Sequence, residues 1–244
     1  MLIQLTDLPI FAALFVGASI SFLAKKLTFS AAVTGFLCGV IIYLGTGYTG
    51  ILCLTVFFIA GTLSTIWGRR KKQVLEKGGD DSQRKLGQVL ANGGAAAFFA
   101  LLALIFPGYT TLFTVMLAAS LSSATSDTLS SELGMLYGSR FYNCLTWKRE
   151  TAGLNGVVSL EGTLAGLFGA ALIAIVYGTG NHFDFSFLLI IIAGMAGNFS
   201  DSLFGASLER RHILNNNGVN FISTLVAAAI AALILYVCQL IYVF

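Results

Sequence analysis

The chain has 244 residues, 57% of them hydrophobic and only 10% charged, with a net charge of +3. A soluble domain carries about 25% charged residues, so this composition excludes a soluble globular protein and points to an integral membrane one. Apolar runs of roughly 17–25 residues, the length that crosses about 30 Å of hydrocarbon as helix, recur without the alternating pattern of a β-barrel. The expected fold class is all-α: a polytopic membrane helix bundle of about eight spans, with a range of six to eight.

In chain order, the opening "MLIQLTDLPI" lacks a basic leader region, so the first helix is expected to be retained and not cleaved as a signal peptide. The apolar segments fall at about 8–24, 28–44, 48–66, 90–106, 110–128, 160–177, 187–205 and 218–242. They suggest one transmembrane domain over 1–244. Within it lie N-terminal helices to residue 66, a basic loop at 67–89 and a motif-bearing core at 90–244. All 14 basic residues fall in alternate loops: Lys25 and Lys26; Arg69 to Lys85; Arg140, Lys148 and Arg149; Arg210 and Arg211. The positive-inside rule then places both termini outside and the basic loops in the cytoplasm. The charge follows from this asymmetry and does not indicate nucleic acid. Cys38, Cys53, Cys144 and Cys238 show no paired spacing and read as small core residues. His182 and His212 read as loop residues.

Two exits and three entries repeat. Segment five ends "SDTL" (126–129) and segment seven ends "SDSL" (200–203). "ANGG" (91–94), "LNGV" (154–157) and "NNGV" (216–219) precede segments four, six and eight or open them. Repeats in one orientation suggest units related by an axis along the membrane normal. Helix N-termini opening on the cytoplasm would attract phosphate, with Asn capping and Gly admitting a ligand to the backbone. Asp127 and Asp201 approach the same level, and Glu161 lies one turn into segment six. An aspartate inside an apolar run is costly and marks function. Carboxylates beside phosphate need a cation between them, which Mg²⁺ or Mn²⁺ would supply. Asp127 and Glu132 are about 140° apart on a regular helix, so either Glu132 has its own role or the helix breaks near Ser130–Ser131. Asn198, Asp201 and Ser202 share a face.

Five ordered stretches, "RKLGQVLANGG" (84–94), "SDTLSSELG" (126–134), "GLNGVVSLEGTLAG" (153–166), "SDSLFGASLE" (200–209) and "NNNGVNFISTL" (215–225), resemble the motif set of the membrane family that includes the plant phytyl-phosphate kinase of vitamin E synthesis. The resemblance implies a kinase that moves a phosphoryl group from a nucleoside triphosphate, CTP favoured, to an isoprenyl monophosphate held at the lipid bilayer. Its implied polar site is Gln88, Asn92, Asp127, Glu132, Asn155, Glu161, Asp201, Asn216, Asn217 and Asn220. Asp127 and Asp201 would hold the metal, with Glu132 and Glu161 as further metal-site carboxylates. Gly93, Gly156, Ser126, Thr128, Ser159 and Asn198 complete the candidate binding set, and Lys85, Arg140, Lys148, Arg149 or Arg210 would neutralise phosphate charge. Leu129 stands where the family usually has a larger aromatic residue, a position expected to shape the lipid pocket. The competing readings are another Mg²⁺-dependent lipid-phosphate enzyme, such as a cytidylyltransferase, and a transporter of a phosphorylated lipid or small anion.

Overall fold

The computed structural model describes residues 5–69, 71, 83–181 and 183–242. Expectations for Arg70, Lys72, Lys77 and His182 lie outside the described residues. The helices are α1 (Leu8–Leu23), α2 (Phe29–Ile66), α3 (Leu86–Ile105), α4 (Thr110–Tyr137), α5 (Leu160–Asn181), α6 (Phe185–Phe204) and α7 (Asn216–Tyr242). A π-helical turn, Gly205–Glu209, extends α6. Between α4 and α5 lies a short antiparallel pair, β1 (Tyr142–Asn143) and β2 (Val157–Val158).

α2 starts at Thr28, whose Oγ1 accepts from the Ala31 amide at 3.3 Å, a helix N-cap. It is far too long for one straight crossing, and it does not make one. Gly47 takes φ 63° and ψ −148°, a conformation that only glycine enters cheaply. A Cβ on Gly39 would lie 3.7 Å from Ile51 Cδ1, whereas twelve residues of straight helix span about 18 Å. The Tyr43 and Tyr48 rings meet edge to face at 5.6 Å across the turn. The arms 29–46 and 48–66 therefore lie side by side, and they correspond to the expected segments 28–44 and 48–66.

Among the described residues, five helices are long and apolar enough to cross a membrane: Phe29–Ile66, Leu86–Ile105, Leu160–Asn181, Phe185–Glu209 and Asn216–Cys238. α4 differs because it is the central helix and touches α2, α3, α5, α6 and α7. Its middle carries buried Ser120, Ser122, Ser123, Thr125 and Ser126. These hydroxyls are satisfied inside the bundle: Thr125 donates to the Leu121 carbonyl at 2.7 Å, and Ser122 reaches the Ile190 carbonyl of α6 at 3.2 Å. Gly169, Gly194 and Gly197 face this stretch from α5 and α6, and small residues of this kind let membrane helices approach closely. Ile42, Leu117, Leu121, Ile173, Tyr177, Leu189 and Ile190 fill the core. Phe15, Leu37, Phe98, Phe168, Leu188 and Leu233 point outward, as hydrocarbon-facing residues do. Cys38, Cys53 and Cys144 are buried free thiols, in keeping with their reading as small core residues. His212 sits in a turn at φ 56°.

Candidate active site

α4 and α6 run in the same direction. Ser122 pairs with the Ile190 carbonyl, Ser126 with Asn198, and Asp127 with Asp201, so the two Ser-Asp exits arrive together. The carboxyl groups of Asp127 and Asp201 stand close enough to interact directly, and Ser223 of α7, whose hydroxyl donates to the Val219 carbonyl at 2.8 Å, stands beside Asp201. With its amide turned, Asn220 donates to Asp201 Oδ2 at 3.2 Å and to the Asn216 carbonyl at 2.9 Å; in the other orientation it donates to Asn92 Oδ1 at 3.2 Å. Asn198 Nδ2 donates to Ser126 Oγ at 2.9 Å and Ser130 Oγ at 2.8 Å.

These groups open on a cavity of about 650 Å³ at one end of the bundle. Gln88 and Asn92 of α3, Asp127, Thr128 and Glu132 of α4, and Asn155, Gly156 and Ser159 of the α4–α5 connection line it. So do Asn198 and Asp201 of α6 and Asn216 and Asn220 of α7. Ser202 joins them, so the expected face Asn198–Asp201–Ser202 does look into one space. The N-terminal region, which offers no motif, contributes Phe58, Thr62, Thr65 and Ile66.

Nine candidates lie elsewhere. Glu161 turns to the connection and accepts from the Ser139 amide at 3.2 Å and hydroxyl at 2.7 Å. Arg210 forms an ion pair with Glu150 at 2.5 Å and donates to the Asn155 carbonyl at 2.7 Å. These bonds hold the Glu150 carboxyl below its usual range. Arg149 lies over the Tyr142 ring at 5.9 Å. Lys85 precedes α3, and its amide donates to Gln88 Oε1 at 2.8 Å. Ser126 is buried behind Asn198. Gly93, Arg140, Lys148 and Asn217 also stand outside the cavity lining. α4 is unbroken through Ser130–Ser131, so Glu132 takes its own direction and accepts from Thr65 Oγ1 at 2.7 Å. The four-carboxylate metal set therefore does not assemble; among the described residues no group of three or more His, Cys, Asp or Glu comes together.

The Asn-Gly entries also differ from expectation. Only Asn216–Asn217–Gly218 opens a helix, with Asn215 Oδ1 accepting from the Gly218 amide at 2.9 Å. Asn92 lies inside α3. Asn155–Gly156 precedes β2, while Ser159 Oγ accepts from the Gly162 amide at 3.1 Å near the start of α5. Gly156 takes φ 72°, and a Cβ there would run into Ala206 of the π turn. Cys144 Sγ donates to the Ser202 carbonyl at 3.2 Å, joining the connection to α6 beside Asp201.

Sequence reasoning passed over Glu209, Arg84, Thr65 and Ser130. Glu209 lines the cavity from the π turn, within electrostatic reach of both aspartates. A π turn has no sequence signature here, although such turns concentrate at functional sites. On the opposite face of α4, Leu129 lines a separate apolar groove of about 530 Å³ with Leu133, Phe168, Leu172, Ile59 and Leu63.

The residues at the cavity suit Mg²⁺, which takes one or two protein carboxylates and fills its remaining positions with water and phosphate oxygens. A touching pair of acids flanked by neutral amides and hydroxyls is such a donor set.

An apolar-surfaced bundle of this kind, with an acidic, asparagine-rich cavity at one end, is an integral membrane protein. The chain matches the integral membrane protein family DUF92 over residues 11–228 and belongs to it. An uncharacterized membrane protein of Methanocaldococcus jannaschii is 38% identical over 197 residues, 80% of each chain. The chloroplastic protein VTE6 of Arabidopsis thaliana is 30% identical over 219 residues, 86% of this chain and 66% of that one. Protein PGR of Arabidopsis thaliana is 25% identical over 260 residues, 87% of this chain and 90% of that one. No solved structure matches the chain.

Proposed function

We propose that the protein is an isoprenoid-phosphate kinase acting at the cytoplasmic membrane face. The observation that carries this reading is the contact between Asp127 and Asp201 in a polar cavity of an otherwise apolar bundle. The resemblance of the five motif stretches to the phytyl-phosphate kinase family and the similarity to the plant chloroplast protein support it. An oxygen of the acceptor's monophosphate attacks the terminal phosphorus of a nucleoside triphosphate, CTP favoured. The new P–O bond forms as the bond to the bridging oxygen breaks, leaving isoprenyl diphosphate and nucleoside diphosphate.

Such a transfer needs positioning and charge neutralisation more than covalent help. The acceptor is already ionised at neutral pH, so no strong base is required, and none of the described cavity residues is a histidine. Bound Mg²⁺ would neutralise phosphate oxygens. Asp127 and Asp201 would hold it, with the turned Asn220 amide fixing the Asp201 carboxylate. Asn92, Asn155 and Asn216 offer neutral donors to phosphate without adding repulsion.

The test uses purified protein in detergent with Mg²⁺, each of CTP, ATP, GTP and UTP, and C10, C15 and C20 prenyl monophosphates, with mass spectrometry of the diphosphate. Turnover is expected for at least one pair. Asp127→Asn and Asp201→Asn are each expected to lower it by about 10²–10³, the cost of losing one preorganised charge-stabilising group, and chelation of the metal should abolish it. No diphosphate from any pair would reject the kinase and favour a transporter or another lipid-phosphate enzyme.

A further inference from the structure

Lys26, Arg69 and Arg84 are the basic residues of the described cavity lining, and Arg84 is fixed there through its main chain and an aromatic ring. Its main chain is held on both sides: its amide donates to the Lys26 carbonyl at 2.9 Å, and its carbonyl accepts from the Thr28 amide at 3.1 Å. This bridge fixes the backbone just before α3, while the side chain turns inward. The guanidinium lies over the Phe57 ring at 6.0 Å and fits against Gly61, where a Cβ would stand 2.9 Å from Nη2. It lines the cavity with Gln88 and Asn92.

Among the described residues this guanidinium makes no hydrogen bond to a protein group. It has five donors in a rigid fork and stays protonated at neutral pH. Burial draws its pKa downward and the nearby Glu132 opposes that shift. Arg210 and Arg149, by contrast, are engaged with Glu150 and Tyr142. A fixed fork with open donors, facing a cavity, is suited to bidentate recognition of phosphate.

Two phosphates enter such a site, and the walls separate them. Arg84 sits on the α2–α3 side, where Phe57, Phe58 and Ile66 supply apolar surface beside the polar Thr65, Gln88 and Asn92. Another part of the lining is the Asn155–Gly156 backbone of the α4–α5 connection, with Glu209 at the end of the π turn. A phosphate attached to an isoprenyl chain must keep that chain in an apolar medium, and a nucleotide arrives from water. Resting on the kinase reading, we propose that Arg84 is the docking group for the monophosphate of the isoprenyl acceptor, while Asp127 and Asp201 face the nucleotide.

The test reads binding separately from turnover, in detergent. Wild type, Arg84→Gln, Arg84→Lys and the charge-balanced Arg84→Gln/Glu132→Gln double variant are titrated with farnesyl monophosphate, farnesol, and CTP with Mg²⁺. Both glutamine variants are expected to lose farnesyl monophosphate affinity by about 10–100-fold, the loss of a charge-assisted hydrogen-bonded pair. Farnesol and CTP should bind within about threefold of wild type, within the scatter of such measurements. Arg84→Lys should recover part of the loss, as a point charge without the fork. In turnover the KM for the prenyl phosphate should rise while that for CTP holds. Equal loss for farnesyl monophosphate and farnesol, loss on the CTP side alone, or a wild type that binds no farnesyl monophosphate would each overturn the assignment. A wild type that binds farnesyl monophosphate through Arg84 but makes no diphosphate would uphold the docking role and reject the kinase.

Discussion

Gly166 lies where three polar side chains converge. A Cβ there would stand 2.7 Å from Asn198 Nδ2 and 2.8 Å from Ser126 Oγ, and closer still to Ser130 Oγ. None of these can retreat cheaply, because Asn198 donates to both serines and Ser130 donates to the Gly162 carbonyl at 2.9 Å. Gly166→Ala is therefore expected to cost about 1–3 kcal/mol, the usual penalty of overpacking. Thermal unfolding in detergent would show it, and an unchanged midpoint would contradict the packing described. At this scale the aspartates were legible in the sequence, because a carboxylate in an apolar run has few structural excuses. The basic residues were not. Which of fourteen cations faces the cavity depends on how the connections fold. Arg149 and Arg210 find partners within those connections, whereas Arg84 is turned inward by a backbone bridge to residues nearly sixty positions earlier.

α2 shows what an element can hide. Its two arms were readable as apolar runs with Gly-Thr-Gly between them, but the reversal rests on Gly47 alone, in a backbone region closed to other residues. Gly47→Ala is expected to lose about 1–3 kcal/mol. It should also lower the yield of a Gly39→Cys/Ile51→Cys cross-link made with a short bifunctional thiol reagent. A cross-link formed equally well in the alanine variant would show that the turn does not depend on glycine. Helix boundaries came through closely where hydropathy sets them. The Asn-Gly pattern misled because one dipeptide serves three backbone settings here: a helix interior, a turn at positive φ and a helix start. The π turn was invisible, since an extra residue in a helical turn alters spacing without altering composition.

For the whole molecule, the charge asymmetry carries the expectation that the cavity end faces the cytoplasm. In a background with the four native cysteines replaced, Lys148→Cys should react with a membrane-impermeant thiol reagent only in inside-out vesicles, and Asn181→Cys only in right-side-out ones. The opposite pattern would turn the bundle over and deny a cytoplasmic nucleotide access to the site. The small contact between Cys144 and the Ser202 carbonyl has a practical consequence here. The thiol is 4% exposed and grips the residue next to Asp201, so an alkylating reagent must part the connection from α6 before it can react. The rate of that reaction is a clock for how often the roof of the cavity lifts, and a ligand that bridges Asn155 and Asp201 should slow it.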